Sequence, residues 1–191
     1  MKLIRENTIH SLSNSKVEYH SGVEIQELGY VNKINLRINQ DSKFISIYSK
    51  IFEAALPMKP NSYSINDKVK CIWLGPNEWL LVNYENNLIN KLNDEISDIE
   101  TSVTDISENK TILRIKGKKI LTLLSKFLVL NLEKNLKEEL SCAQTLFVKV
   151  PVLLVRNNKE NDIPEIDIFI NRSQSNYVYN LLVDGTKNLN F

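Results

Sequence analysis

Residues 73–82, WLGPNEWLLV, constrain the fold more than any other stretch because they hold both tryptophans of the chain. Residues 75–78 predict a turn: proline presets φ at the first central position, and asparagine tolerates a left-handed conformation at the second. We therefore expect a hairpin with strands at 69–74 and 78–83. Apolar residues occupy both faces of the strands, as in a sheet that is covered on both sides. The tryptophans, Trp79 included, are interpreted as core anchors.

Short strands and helices alternate along the rest of the chain after a polar arm at residues 1–21. Alternating or β-prone residues predict strands at 23–28, 33–38, 103–106, 111–115, 143–156 and 165–170, the fifth of them interrupted at Pro151 by a bulge or an edge position. Periodic apolar residues predict helices that run from Asp41 or Ser42 to Leu56-Pro57, over 87–96, from Gly117 through Leu128, and from Ser173 to a stop at Gly185. Residues 133–140 predict a solvated connection or short helix.

The order strand, helix, strand pair, helix occurs twice. Leu36-Arg37-Ile38 matches Leu113-Arg114-Ile115 at an offset of 77 residues, and a Ser-Lys pair in the first helix matches one in the second at an offset of 76. This repeat predicts an α+β fold within residues 22–191, with halves at about 22–100 and 101–191. Each half is expected to place its helices on one face of a sheet.

The charge balance excludes several classes of partner. The chain carries 24 Lys and Arg against 23 Asp and Glu, a net charge of +1, so it lacks the electrostatic footprint of nucleic-acid-binding or membrane-surface proteins. No apolar run approaches the ~20 residues that span a bilayer, and the first residues lack the apolar segment of a signal peptide. We expect a cytoplasmic protein with no nucleic-acid or membrane partner.

Few residues could supply metal or nucleophile chemistry. Cys71 and Cys142 have no C-x-x-C spacing, and His10 and His20 lie in the polar arm. Zinc sites and Ser–His or Cys–His nucleophiles need tighter groupings, so the cysteines are interpreted as reduced, buried side chains. Dinucleotide, P-loop, nucleophile-elbow and zinc-protease motifs do not occur in the sequence. No residue is assigned a catalytic, cofactor-binding or metal-binding role.

Two pairs of charged residues have both a structural and a functional interpretation. Asp105 and Glu108 could form a carboxylate pair, although they fall between two strands, where a polar turn is the usual outcome. Arg37 and Arg114 lie at matching places in the repeat. Each could pair with a carboxylate across the sheet or reach a partner protein. The residues alone favour a scaffold or binding module over an enzyme.

Several segments along the chain form one recognisable set. They are Asn35-Leu36-Arg37, Leu56-Pro57 with Pro60-Asn61, residues 73–81 (WLGPNEWLL), 103–107 (VTDIS), 141–146 (SCAQTL), 150–154 (VPVLL), 167–170 (DIFI) and Arg172-Ser173. In these segments, which cover roughly residues 22–184 in the family's order, the chain resembles the gamma subunit of bacterial heterotetrameric sarcosine oxidase. Asn77 replaces the family's usual aspartate, and residues 134–139 are more lysine-rich than expected.

The resemblance implies two ferredoxin-like halves in a fold like that of folate-binding aminomethyltransferases such as the glycine cleavage T-protein. It implies a complex that oxidatively demethylates sarcosine to glycine with oxygen, giving hydrogen peroxide and 5,10-methylenetetrahydrofolate. FAD, FMN, NAD, zinc and tetrahydrofolate would lie on the other subunits, and this chain would be non-catalytic. Its partners would be the alpha, beta and delta subunits, with the large alpha subunit in direct contact.

Two alternatives share this fold. One is a free-standing folate-binding protein like those of tRNA modification and iron–sulfur repair, which carry a K-G-C-Y-x-G-Q-type motif. The sequences around Cys71 and Cys142 do not fit that motif. The other is an aminomethyltransferase that acts alone, but no segment matches the context of its catalytic aspartate.

Overall fold

The computed structural model describes residues 7–9, 17–19, 21–39, 44–53, 55–67, 69–83, 101–157, 163–187 and 189. The strands are β1 (Val17–Tyr19), β2 (Val23–Glu27), β3 (Asn32–Arg37), β4 (Tyr63–Ile65), β5 (Val69–Gly75), β6 (Glu78–Asn83), β7 (Ser102–Asp105), β8 (Lys110–Lys116), β9 (Cys142–Phe147), β10 (Val150–Arg156) and β11 (Glu165–Asn171). The helices are α1 (Phe44–Phe52), α2 (Ile120–Ser125), α3 (Leu132–Asn135) and α4 (Ser175–Thr186), with a 3₁₀ turn at Arg172–Gln174. The helix expected at 87–96 lies outside the described residues.

The chain divides into two compact units. The central unit is Val31–Ser107, and its antiparallel sheet has the order β4-β5-β6-β3-β7. The terminal unit combines Met1–Tyr30 with Glu108–Phe191, and its antiparallel sheet has the order β1-β2-β8-β11-β10-β9. Each unit is therefore an α+β structure built on one sheet.

In each unit the helices cover one face of the sheet. In the central unit, the rings of Tyr48 and Phe52 on α1 stack with centroids 4.3 Å apart and pack with alternate residues of β3, β5 and β6. In the terminal unit, α2, α3 and α4 contribute to a core with alternate residues of β2, β8, β10 and β11. This arrangement follows from the two periods in the sequence, about 3.6 residues in the helices and two in the strands.

The two sheets repeat one another, as the sequence offset predicts. β3 lies between β6 and β7, and β8 lies between β11 and β2. The matched Leu36 and Leu113 occupy equivalent positions, opposite Trp79 on β6 and Ile168 on β11. The predicted α+β fold with two related sheets is therefore confirmed.

The division of the strands differs from the predicted halves at 22–100 and 101–191. β2 precedes β3 in the chain but pairs with β8, and β7 precedes β8 but pairs with β3. The two strands are thus exchanged between the repeats. Alternation along a strand indicates that one face is buried, but it does not specify the neighbouring strand, so this exchange was not visible in the pattern.

The described part of the N-terminal arm, residues 7–9 and 17–19, is attached to the terminal unit. β1 pairs with β2, and Ile9 is buried in the core. The buried Glu27 carboxylate accepts hydrogen bonds from the main-chain N–H groups of Thr8 and Ile9, both at 2.9 Å. The polar composition of residues 1–21 did not indicate this attachment. The attachment depends on the carboxylate of Glu27, which is distant in sequence, and on the single apolar side chain of Ile9.

The central hairpin is confirmed, with small differences. β5 extends to Gly75, which pairs with Glu78, and a register shift lies between Trp73 and Gly75. Asn77 is not among the residues with positive φ. The turn therefore does not use the left-handed tolerance of asparagine, and proline at its first central position suffices.

The run at 143–156 is a hairpin rather than one strand interrupted at a proline. The chain turns at Val148 and Lys149, and Pro151 is the second residue of β10, before the ladder with β11 begins at Val152. The missing N–H of proline therefore removes no bond from that ladder. Val148 has a φ of +58°. A valine gives no turn signal, which is why the sequence concealed this turn.

Gly185 lies inside α4, which continues to Thr186, and does not stop the helix. A Cβ at this position would lie 2.7 Å from Leu123 and 2.8 Å from Phe127. A side chain here would displace the ends of the Leu123 and Phe127 side chains, because α4 approaches the end of α2 closely. The periodicity of one segment does not reveal this constraint.

Candidate functional site

Trp79 is a core residue, as predicted. Its side chain is fully buried in the central unit, and its Nε1 donates a hydrogen bond to the carbonyl of Pro57 at 2.9 Å. Trp73 is partly exposed and packs against the same core. The ring of Trp79 therefore packs in the core, and its one polar atom has a hydrogen-bond partner within the same unit.

The two cysteines are free, buried thiols, which confirms the structural interpretation. Burial raises the pKa of Cys71 to about 12. Burial also raises the pKa of Cys142 to about 12. Thiolate is the reactive form of cysteine, so neither side chain has the environment of a nucleophile.

Arg37 and Arg114 both pair with a carboxylate on the neighbouring strand. Arg37 lies 3.3 Å from Glu78 and is largely exposed. Arg114 binds Asp167 through two contacts, of 2.7 and 2.9 Å, and Asp167 is nearly fully buried. The exposed Arg37–Glu78 pair contributes little to the free energy of folding. The bidentate Arg114–Asp167 pair offsets the cost of burying the Asp167 carboxylate. The sequence left two alternatives for each arginine, a carboxylate across the sheet or a contact with a partner protein. The structure contains the pairing across the sheet.

A matched pair of lysines was missed. Lys33 and Lys110 are also 77 residues apart, three positions before the matched leucines. Lys33 is buried, and its Nζ donates to the carbonyls of Val31 and Ser107, both at 2.9 Å. Lys110 donates to the side-chain oxygen of Asn171, and burial lowers its pKa. Extending the repeat by three residues would have revealed this pair.

Asp105 and Glu108 each bind a different partner in the structure. Asp105 Oδ1 accepts the N–H of Ser107 at 2.8 Å, which is the usual turn role of aspartate. Glu108 forms an ion pair with Arg172. The structure therefore supports the polar-turn interpretation.

The described residues hold no group of three or more His, Cys, Asp or Glu side chains that could bind a metal ion. His10 and His20 lie outside those residues. None of the helices in the described part of the chain has the length and apolarity needed to cross a membrane.

A cleft of about 560 Å³ lies beside α3 in the terminal unit. Its lining is mixed, with Leu132 and Ile166 next to Lys134, Lys137 and Arg156. The Arg156 guanidinium donates to main-chain carbonyls after α3, including that of Leu136 at 2.7 Å. This cation closes the connection between α3 and β9, and the cleft is a groove beside that connection.

Exposed apolar side chains are concentrated in one part of the terminal unit. Large apolar residues with substantial exposure are Tyr30, Met58, Ile65, Val129, Leu140, Leu146, Val148, Ile163 and Tyr177. Three of these, Val129, Leu146 and Val148, lie at or near the tip of the β9–β10 hairpin, whereas Leu140 precedes the opposite end of β9. We define the hairpin patch as Val129, Leu146, Val148 and the exposed Pro151, around the tip of the β9–β10 hairpin. It is the candidate interaction surface of the described residues.

The fold can be compared with known proteins. No protein-family model and no curated protein sequence matches this chain. A chain of the heterotetrameric sarcosine oxidase from Corynebacterium sp. U-96, solved in complex with pyrrole 2-carboxylate, matches with a TM-score of 0.84 and 20% identity. The match covers 100% of this chain and 98% of that one. The fold is that of a sarcosine oxidase subunit.

A second solved structure has a related fold. The glycine cleavage system aminomethyltransferase T from Bartonella henselae matches with a TM-score of 0.62 and 12% identity. The match covers 85% of this chain but 45% of the aminomethyltransferase. This chain thus spans less than half of that enzyme, and the likeness concerns the fold.

Proposed function

We propose that this chain is the non-catalytic gamma subunit of a bacterial, cytoplasmic heterotetrameric sarcosine oxidase. The observation that carries the proposal is the mutual coverage of 100% and 98% with a sarcosine oxidase chain at a TM-score of 0.84. A shared fold alone would allow unequal lengths and added domains, as in the aminomethyltransferase comparison. The near-equal length supports a like role in a complex.

The residues of the chain are consistent with a scaffold role. The segment 73–81 forms the turn of the central hairpin and part of both its strands, and the segment 141–146 forms most of β9. The candidate residues of the sequence have structural partners: Trp79 in the core, Arg114 on Asp167, and the thiols in apolar surroundings. In the proposed complex, FAD, FMN, NAD, zinc and tetrahydrofolate belong to the other subunits, and this chain contributes packing.

The complex would oxidise sarcosine to glycine, reduce oxygen to hydrogen peroxide, and pass the one-carbon unit to tetrahydrofolate. Obligate subunit interfaces usually bury more than ~2,000 Å² in total. The isolated chain should therefore aggregate non-specifically or be poorly soluble, because the surface that its partners cover would be exposed.

The test is co-expression of the alpha, beta and delta subunits of the same source with and without this chain. Sarcosine-dependent hydrogen peroxide formation should need all four subunits, and the purified chain alone should form none. Full activity of the assembly that lacks this chain, or peroxide formation by the chain alone, would contradict the proposal.

The second candidate is a free-standing folate-binding protein. The observation in its favour is that 85% of the chain matches a folate-related aminomethyltransferase fold. Calorimetric titration of the isolated chain with tetrahydrofolate separates the candidates. Micromolar binding, together with no association with the other subunits, would support the folate-binding candidate instead.

A further inference from the structure

The hairpin patch concentrates exposed apolar side chains at the tip of one hairpin. Val129 is fully exposed, Leu146 is 55% exposed and Val148 is 44% exposed. The N–H of Val148 donates to the carbonyl of Phe127 at 2.9 Å, which brings the chain before Val129 against the hairpin turn. Single exposed apolar residues are ordinary, but a group at one place is typical of a contact surface.

The backbone of Val148 is strained in a way that a different residue would relieve. Its φ of +58° lies in the left-handed region, which β-branched residues rarely adopt. Of the two turn residues, Val148 has a positive φ and Lys149 does not. That pattern belongs to the hairpin turn that favours glycine at its first position. The half-exposed valine makes this turn at a cost in backbone strain, and its exposed side chain is placed to contact a surface outside the fold of this chain.

The charges around the patch favour one kind of occupant. Exposed lysines lie at positions 149 and 126, and Lys126 Nζ also donates to the carbonyl of Gly185. The two segments that build the patch, 126–131 and 144–151, contain no acidic residue. Like charges would oppose a second copy of the same surface, whereas carboxylates would complement it.

We infer that the hairpin patch is the surface through which this chain docks on its partner subunit in the complex. The occupant is an apolar protein surface bordered by carboxylates, and the Val148 side chain inserts into it. This inference rests on the proposed function and adds the surface and the chemistry of its partner.

The principal variant is Val148→Gly, which removes the side chain and relieves the backbone strain together. We expect the isolated chain to melt at the same or a higher temperature, while its affinity for the co-expressed alpha, beta and delta subunits falls roughly 10-fold or more. The matched control is Glu53→Gly, at an exposed residue after α1 with a φ of +52°. It relieves similar strain and should leave assembly unchanged.

Two further variants test the side chains and the charge. Leu146→Ser should weaken assembly without loss of folding, because Leu146 is exposed. Lys149→Glu should weaken assembly more at 50 mM than at 300 mM salt, because screening reduces the repulsion from partner carboxylates.

The outcomes separate this inference from the proposed function. If the wild-type chain assembles with the other subunits and all three variants assemble as tightly, the inference is overturned and the proposed function stands. If the wild-type chain does not assemble, both fall. If Val148→Gly instead abolishes a dimer of the isolated chain, or binding to vesicles of phosphatidylserine and phosphatidylcholine, the assigned occupant is wrong.

Discussion

At the scale of single residues, Trp79 connects the central sheet to its surroundings through both packing and a hydrogen bond. Trp79→Ala should lower the free energy of unfolding by ~3–5 kcal/mol, because it removes a fully buried ring and the donor to Pro57. Urea unfolding of the isolated chain measures the change. The matched control, Trp73→Ala at a partly exposed site, should cost less. A loss below ~1 kcal/mol for Trp79→Ala would contradict the core assignment.

The buried thiols predict a dependence of stability on alkaline pH. The pKa of Cys71 and of Cys142 is raised from 9.0 to about 12 in the folded chain. Between these values the unfolded chain has lost thiol protons that the folded chain retains. The stabilisation is therefore fully present below pH 9 and is lost as the pH rises towards 12. Melting temperatures across pH 7–11 measure it.

Thiol reactivity gives an independent check on the same environment. At pH 8 the folded chain should react with an aromatic disulfide reagent far more slowly than the chain in guanidinium chloride, in which both Cys71 and Cys142 become accessible. Cys142→Ala should halve the final extent of reaction in denaturant. Rapid reaction of either thiol in the folded chain would contradict the assignment.

At the scale of elements, the contact of α4 with the end of α2 depends on the absence of a side chain at Gly185. Gly185→Ala should lower the free energy of unfolding by ~1–3 kcal/mol, because the new Cβ would lie 2.7 Å from Leu123 and 2.8 Å from Phe127. The matched control is Gly29→Ala, since a Cβ at Gly29 meets nothing within 4 Å. It should change stability by less than ~1 kcal/mol. Equal effects of the two substitutions would refute the close-packing role.

At the scale of the whole molecule, the terminal unit joins segments that are far apart in sequence. Glu27 on β2 accepts hydrogen bonds from the main chain of Thr8 and Ile9 and from the hydroxyl of Thr111 on β8. One carboxylate thus links the N-terminal segment, β2 and β8. Because Ile9 is also part of the core, the anchor and the apolar contact should act as one unit.

A double-mutant cycle measures this coupling. Ile9→Ala should cost ~2–4 kcal/mol, and Glu27→Ala should cost ~1–3 kcal/mol because it leaves buried N–H groups without their acceptor. The double variant should cost less than the sum by ~1 kcal/mol or more, since each substitution releases the same segment. Additive effects, measured by urea unfolding, would show that the two contacts are independent.

The sequence alone determined the local features whose signals lie within a few residues. Gly75-Pro76 specified the central hairpin, helical periodicity specified α1, and the 77-residue offset specified two related sheets with Arg37 and Arg114 at equivalent places. These features depend on local backbone preferences and on the spacing of apolar residues, and both can be read directly from one amino-acid sequence.

Tertiary structure alone decided the features that depend on distant neighbours. It exchanged β2 and β7 between the repeats, attached Ile9 through Glu27, and placed Gly185 inside a helix. It also folded residues 143–156 into a hairpin through a left-handed valine. In each case the deciding energy comes from a contact across the fold, such as a ladder, a buried carboxylate or a close approach of two helices, and outweighs the local preference of the residue.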